Sequence, residues 1–177
     1  MTNRKVILYI AESIDGHIAR RNGEVDWLSI VEAENEDYGY EEFYQTIDTI
    51  LMGRKTYEQV LSFGEFPYKG KKCYVFSSKK QSETENVQFI DDDVLNFIKN
   101  LKNEEGKDIW IVGGSELIES FILRDLIDEY IVSIIPIILG EGIPLFKSSK
   151  ISHNLKLIDV KKYPTGLVQV HYRRKLE

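Results

Sequence analysis

Short apolar runs rich in branched residues recur along the chain, each ending at a turn-forming or polar residue. Val6–Ala11, Thr49–Met52, Cys73–Phe76, Val87–Ile90, Ile109–Val112 and Tyr130–Ile135 have the length and continuity of buried strands. Between them the apolar spacing changes to that of a helix. Tyr40, Phe43, Tyr44 and Ile47 predict a helix over about 34–46, and a short helix follows Gly53 near Lys55 or Thr56. Val94, Leu95, Ile98 and Leu101 form one face of a helix opened by Asp91-Asp92-Asp93, whose charge suits a helix N-terminus. Leu117, Ile118, Phe121 and Ile122 mark another, with Ser115 as its expected N-cap. Leu155–Lys161 and Leu167–Arg173, joined near Pro164-Thr165-Gly166, read as an antiparallel hairpin. Strands separated by helices and closed by a hairpin predict an α/β protein, with a mixed sheet and helices on both faces. No repeat or linker interrupts the pattern, so one domain over 1–177 is expected.

The first strand is not followed by a helix. Ser13-Ile14-Asp15-Gly16 and Arg20-Arg21-Asn22-Gly23 stand where a Rossmann domain would open its glycine-rich turn, which disfavours that fold. Composition narrows the classes further. The 177 residues are 42% hydrophobic and 29% charged, with a net charge of −6, which argues against a nucleic-acid partner. One cysteine, Cys73, excludes an internal disulfide and a paired-cysteine zinc site, and its apolar setting points to core packing. The three histidines lack metal-ligand spacing, so no metal is expected. Met1–Lys5 leads straight into the first strand with no signal-peptide pattern or membrane-spanning run. A cytoplasmic protein without a membrane partner is expected.

Candidate chemistry gathers at the carboxyl ends of three strands, where ligands of open α/β sheets bind. Gly53-Arg54-Lys55-Thr56 joins a glycine, two cations and a helix N-terminus. Gly113-Gly114-Ser115-Glu116 is a second glycine turn into a helix. Two such anion sites on one sheet suit a dinucleotide. At the third end, Ser77-Ser78-Lys79 offers hydroxyls and a cation where an NAD site usually places a carboxylate, which favours NADPH through its 2′-phosphate. Taken singly, each has a plain alternative: a tight turn at Gly113-Gly114, or a solvated helix start at Arg54 and Lys55.

These residues carry a resemblance. "LMGRKTYE" at 51–58, "VFSS" at 75–78 and "IWIVGGSELIESFI" at 109–122 resemble the dihydrofolate reductase superfamily. "SIDG" at 13–16 and "IPIILGEGIPLF" at 135–146 resemble more specifically the C-terminal reductase domain of the bifunctional riboflavin-biosynthesis deaminase/reductase. The ordered matches run from Val6 to about Arg173. The resemblance implies a dihydrofolate reductase-like three-layer sandwich with a mostly parallel sheet, an NADPH cofactor, a small heterocyclic substrate and a homodimer. The apolar run Ile134–Ile138 fits either a subunit contact or buried core.

Carried across by residue, Ala11 would meet the nicotinamide carboxamide, and Ile14, Asp15 and Gly16 would form the loop over it. Gly53, Arg54, Lys55 and Thr56 would hold phosphates, with Arg54 on the 2′-phosphate. Ser77, Ser78 and Lys79 would lie by the adenine ribose, and Gly113, Gly114, Ser115 and Glu116 by the pyrophosphate. Two departures stand out: no zinc-binding deaminase half is present, and the arginines that grip a ribose phosphate are replaced by Ser77-Ser78-Lys79-Lys80-Gln81.

Reduction also requires a proton. Asp37 matches the dihydrofolate reductase acid in its distance from the Gly-Arg pair, and Asp15 is the alternative. The first could instead be a solvated helix start, the second a turn. Glu34 and Glu36 are neighbouring acids that equally suit a surface. Trp27 would wall the substrate cleft or belong to the core. The activity implied is an NADPH-dependent reductase of the 5-amino-6-(5-phosphoribosylamino)uracil reductase type. Dihydrofolate reduction and a non-catalytic nucleotide-binding module are the alternatives.

Overall fold

The computed structural model describes residues 4–79, 84–148 and 152–175. Its centre is an eight-stranded sheet in the order β5-β4-β3-β6-β1-β7-β10-β9, made of β1 (Val6–Ser13), β3 (Ile47–Gly53), β4 (Lys72–Phe76), β5 (Val87–Ile90), β6 (Asp108–Gly113), β7 (Glu129–Ile135), β9 (Leu155–Lys162) and β10 (Val168–Arg174). The first six strands in that order are mutually parallel. The hairpin β9–β10 adds an antiparallel edge through β7. A small ribbon pairs β2 (His17–Ala19) with β8 (Ile143–Pro144).

Four helices cover the sheet: α1 (Tyr40–Thr46), α2 (Arg54–Ser62), α3 (Val94–Asn103) and α4 (Ser115–Ile122). Successive strand residues point to opposite faces, and this sorts the core into two layers. Val6, Leu8, Ile109 and Ile111 turn toward Ile98, Leu101, Leu117, Ile118 and Phe121 of α3 and α4. Ile7, Ile50 and Trp110 turn toward Phe43 of α1 and Tyr57 of α2. Full burial of each such side chain contributes about 1.5–3 kcal/mol, so a register slip would be heavily penalised. No helix of the described residues is long and apolar enough to cross a membrane.

The structure departs locally from the sequence pattern. Residues 34–39 are not helical: Asn35, Tyr38 and Gly39 have positive φ, and α1 begins only at Tyr40. Ile47, at helical spacing, opens β3 because the helix passes directly into the strand. Asp26–Val31 forms a 3-10 helix that the periodicity does not announce. Gly114, not Ser115, occupies the N-cap of α4, and Ser115 is its first residue. The acidic run before α3 performs as its charge implies: Asp93 accepts from the N–H groups of Leu95 and Asn96 at 3.0 and 3.2 Å. Cys73 is buried in the core, and burial pushes its thiol up to about 12. The Ile134–Ile138 run is divided. β7 lies inside the sheet between β1 and β10, and Ile138 is exposed beyond it.

At the amino end of the sheet, buried Arg4 ties separate elements together. It donates to the carbonyls of Lys107 and Leu101 at 2.6 and 3.2 Å, to Thr49 Oγ1 at 2.7 Å, and to Asp48. Gly106 lies against this pair: a Cβ there would stand 2.5 Å from Asp48 Oδ2 and 2.9 Å from Arg4 Cζ. Gly106→Ala is expected to destabilise the protein by about 1–3 kcal/mol, the usual cost of overpacking, read as a lower urea midpoint.

Candidate functional site

The parallel strands bring their carboxyl ends to one rim, but not at equal depth. β1 pairs with β6 only from Val6↔Ile109 to Leu8↔Ile111. On its other side β1 stays with β7 as far as Ser13↔Ile135. Peptide groups alternate sides along a strand. The Lys5 carbonyl accepts from Ile109 N–H, so the peptides of Ile7, Tyr9 and Ala11 also face β6. Beyond Leu8 they have no strand partner. The indole Nε1 of Trp110 takes up the Tyr9 carbonyl at 3.0 Å, and the backbone of Ala11 looks into the opening.

The two glycine turns lie together on the β6 side of this opening, at the ends of the neighbouring strands β3 and β6. A Cβ on Gly53 would lie 3.7 Å from Gly114 N, and one on Gly114 would lie 3.3 Å from Thr56 Oγ1. The first turns of α2 and α4 therefore sit close together. Both begin at a glycine N-cap with no side-chain cap, leaving N–H groups available to an anion. Gly113 has φ +141°, a conformation costly for any residue with a Cβ, and the Gly113–Gly114 peptide is cis. Ser115 is buried and Glu116 exposed. Lys55 is exposed, while Arg54 is paired with Glu58 one helical turn on, at 2.5 Å. Ser77, Ser78 and Lys79 follow β4 on the same rim, and Ser77 Oγ both accepts from Lys79 N–H and donates to its carbonyl. Lys80 and Gln81 lie outside the described residues.

On the α1 face, a cleft of about 350 Å³ opens beside Ala11. Tyr9, Ala11, Ser133 and Ile135 belong to its sheet side, and Leu28, Val31 and Leu167 add apolar wall. Tyr38, Tyr40 and the acids Glu32, Glu36 and Asp37 complete it. Beneath it Gln169 donates to Ser133 Oγ at 3.1 Å. Burial holds the Tyr9 hydroxyl above its usual range and pushes Tyr40 up to about 12, so both keep their protons as donors. Trp27 is not part of the lining. It is 2% exposed, packed with Val31, Ile135 and Leu167 as core below the cleft. Sequence reading missed Tyr9, Ser133 and Gln169. Ser133 was the available signal, a hydroxyl inside an otherwise apolar strand, facing Gln169 across the β7–β10 ladder.

The two candidate acids differ from what proton donation requires. Asp37 does line the cleft, but it accepts from Glu41 N–H at 3.0 Å and Gly39 N–H at 2.9 Å, bonds that lower its pKa. Asp15 lies outside the lining and ties loops together. It accepts from Ser13 Oγ at 2.6 Å, Leu139 N–H at 3.0 Å and Gly140 N–H at 2.7 Å, with His17 Nδ1 at 3.3 Å. The Ser13 hydroxyl and then these N–H groups, against the opposing effect of burial, hold its carboxyl well below the usual range. Ile14 N–H donates to Ile137 and Gly16 accepts from Leu145, so the loop at 14–16 is anchored to 137–145. Glu12 is a half-buried acid that the sequence did not single out, and burial raises its pKa. Its partner Ile134 packs with the α3–α4 layer, away from the cleft. Among the described residues no three His, Cys, Asp or Glu side chains are grouped to hold a metal ion.

Because Asp15 is depressed in the folded state, its stabilising effect is complete above the ordinary aspartate value of 3.8 and is lost as pH falls below it. Asp15→Asn should lower the urea midpoint at pH 7, and the difference from wild type should shrink as pH falls below about 4.

Comparison with known proteins agrees with this architecture. The chain matches the family model of the RibD C-terminal domain over residues 4–169. It is 46% identical to the Bacillus subtilis (strain 168) protein YwjB and 41% to YyaP of the same strain, covering 97% of this chain and 98% of the relative in both cases. A crystal structure from Shewanella sp. PV-4, of a protein whose name refers to riboflavin biosynthesis, superposes with a TM-score of 0.89 at 32% identity, over 97% of this chain and 99% of that one. The Thermotoga maritima diaminohydroxyphosphoribosylaminopyrimidine deaminase/5-amino-6-(5-phosphoribosylamino)uracil reductase shares the fold at a TM-score of 0.73 and 18% identity. There the match covers 98% of this chain but 57% of the larger enzyme. The family model's match across nearly the whole chain makes this protein a member of the RibD C-terminal domain family.

Proposed function

We propose that this protein is an NADPH-dependent reductase of the pyrimidine-reductase type, acting on a pyrimidine- or pteridine-like heterocycle. Family membership supports the reaction class. The observation that carries the cofactor reading is the meeting of two uncapped helix N-termini, through Gly53, Thr56 and Gly114, beside the opening at Ala11.

In this reading the N–H groups at the start of α2 and α4 bind the pyrophosphate, with Gly113, Gly114, Ser115 and Glu116 on one side and Gly53, Lys55 and Thr56 on the other. Arg54 turns from Glu58 to the 2′-phosphate, and Ser77, Ser78 and Lys79 flank the adenine ribose. The Ala11 backbone orients the carboxamide, while Ile14 and Gly16 cover it. Bound there, the cofactor supplies a hydride to an electrophilic carbon of the substrate. The chain's own part is to orient and to exclude water. Leu28, Val31 and Leu167 keep the cleft apolar, and the Tyr9 and Tyr40 hydroxyls donate to ring acceptors. Asp37, ionised and fixed, accepts from ring N–H groups, and we assign Asp15 to the loop rather than to proton transfer.

Ligands that bind only the folded state raise its stability. NADPH should raise Tm clearly and NADH little; no shift with either would remove the reductase reading. Arg54→Ala should weaken NADPH at least about tenfold, or about 1.4 kcal/mol, and NADH much less. Equal losses would sink the 2′-phosphate assignment.

We also propose a homodimer. Among the described residues β9 pairs only with β10, and its Leu157 and Val160 are 50% and 51% exposed, an apolar free edge of the kind that invites pairing. Light scattering after size exclusion should give twice the chain mass, and a clean monomer would rule this out.

A further inference from the structure

We propose that the cleft beside Ala11 selects an uncharged or cationic planar ring and turns away ring compounds that carry a phosphate. This rests on the reductase reading and refines its substrate. It sets the protein apart from the Thermotoga maritima enzyme, whose name specifies a phosphoribosyl substrate.

The charge of the lining carries the argument. Its ionisable carboxylates, Glu32, Glu36 and Asp37, stand together on the segment between the 3-10 helix and α1. Among the described residues no lysine, arginine or histidine lines the cleft. Two of the acids are held in place by backbone groups. Asp37 accepts from Gly39 and Glu41 N–H, and Glu36 Oε1 accepts from Tyr38 N–H at 2.8 Å. A cation does approach the outside of this segment: Lys161 Nζ would lie 3.9 Å from a Cβ on Gly39, but Lys161 is not part of the lining. Arg20 is paired with Asp26 at 2.6 Å and Arg21 with Glu141 at 3.0 Å, and neither lines the cleft. A phosphate ester carries close to two negative charges at neutral pH. Entering here, it would meet three carboxylates and no compensating donor of positive charge. A flat ring meets apolar walls and tyrosine hydroxyls, which satisfy its faces and its carbonyls.

The test needs no knowledge of the natural substrate. Ala33 is exposed, lines the cleft and stands between the acids, while the native Cys73 is 1% exposed and shielded from reagents. In full-length Ala33→Cys, labelling rates are measured with a cationic and an anionic methanethiosulfonate, each divided by its rate with 2-mercaptoethanol. At about 0.01 M ionic strength, where screening reaches only beyond ~30 Å, the cationic reagent should be favoured by roughly tenfold or more. Adding Glu32→Gln and Glu36→Gln should reduce that preference at least about threefold. A ratio equal to that of the free thiol, or one untouched by the two glutamines, overturns the proposal. So does a phosphorylated ring compound that is reduced with a higher kcat/KM than its dephosphorylated form. The NADPH-induced Tm shift of the same variant reads the cofactor assignment separately. Its loss with the charge preference intact would remove the reductase reading while the cleft's selectivity stands.

Discussion

The site depends on the parting of two parallel strands. β1 leaves β6 after Leu8↔Ile111 but keeps its ladder with β7 as far as Ser13↔Ile135. A buried peptide group without a partner costs free energy, so such an opening must be filled by a side chain, water or a ligand. Here the Trp110 indole satisfies Tyr9, and Ala11 is left without a ladder partner on the side toward β6. The same divergence puts Tyr9, Ala11, Ser133 and Ile135 at the mouth of the cleft, because they share the α1 face of β1 and β7. One break in the hydrogen-bond ladder thus leaves an opening at the rim, next to the glycine turns of β3 and β6, with a cleft beside it.

The charges are divided between these two halves. The rim has helix N-termini with Arg54 and Lys55, and among the described residues the charged groups lining the cleft are carboxylates. In a protein of net charge −6, the cations are thus set apart from the cleft. Fixing Asp37 by backbone N–H groups favours its ionised form, and this distinguishes it as an acceptor from an acid poised to give up a proton. The loop at 13–16 is tied in the same manner to 139–140 through Asp15.

Much of this was legible in the amino-acid order. Strand runs such as Val6–Ala11 and Ile109–Val112, the helix opened by Asp93, the buried Cys73 and the glycine turns at Gly53 and Gly113 are local features. Propensity, periodicity and capping act over a few residues, so they can be read from a few residues. The motifs at 51–58 and 109–122 pointed to the dihydrofolate reductase superfamily, and those at 13–16 and 135–146 to the reductase-domain family within it, for the same reason. Other features needed the folded chain. Asn35, Tyr38 and Gly39 break an apparent helix with positive φ. Trp27 becomes core because β7 and Leu167 close over it. Asp15 meets its partners 124 and 125 residues away. The acidic rim faces Ala11 only because the 3-10 helix folds back over the sheet. The sequence by itself determined most of the strands and helices and the two glycine turns that open α2 and α4, since those preferences are local. Only the tertiary structure decided which polar groups share a cleft and which acids stay ionised, because burial and hydrogen-bond partners come from residues far apart in the chain.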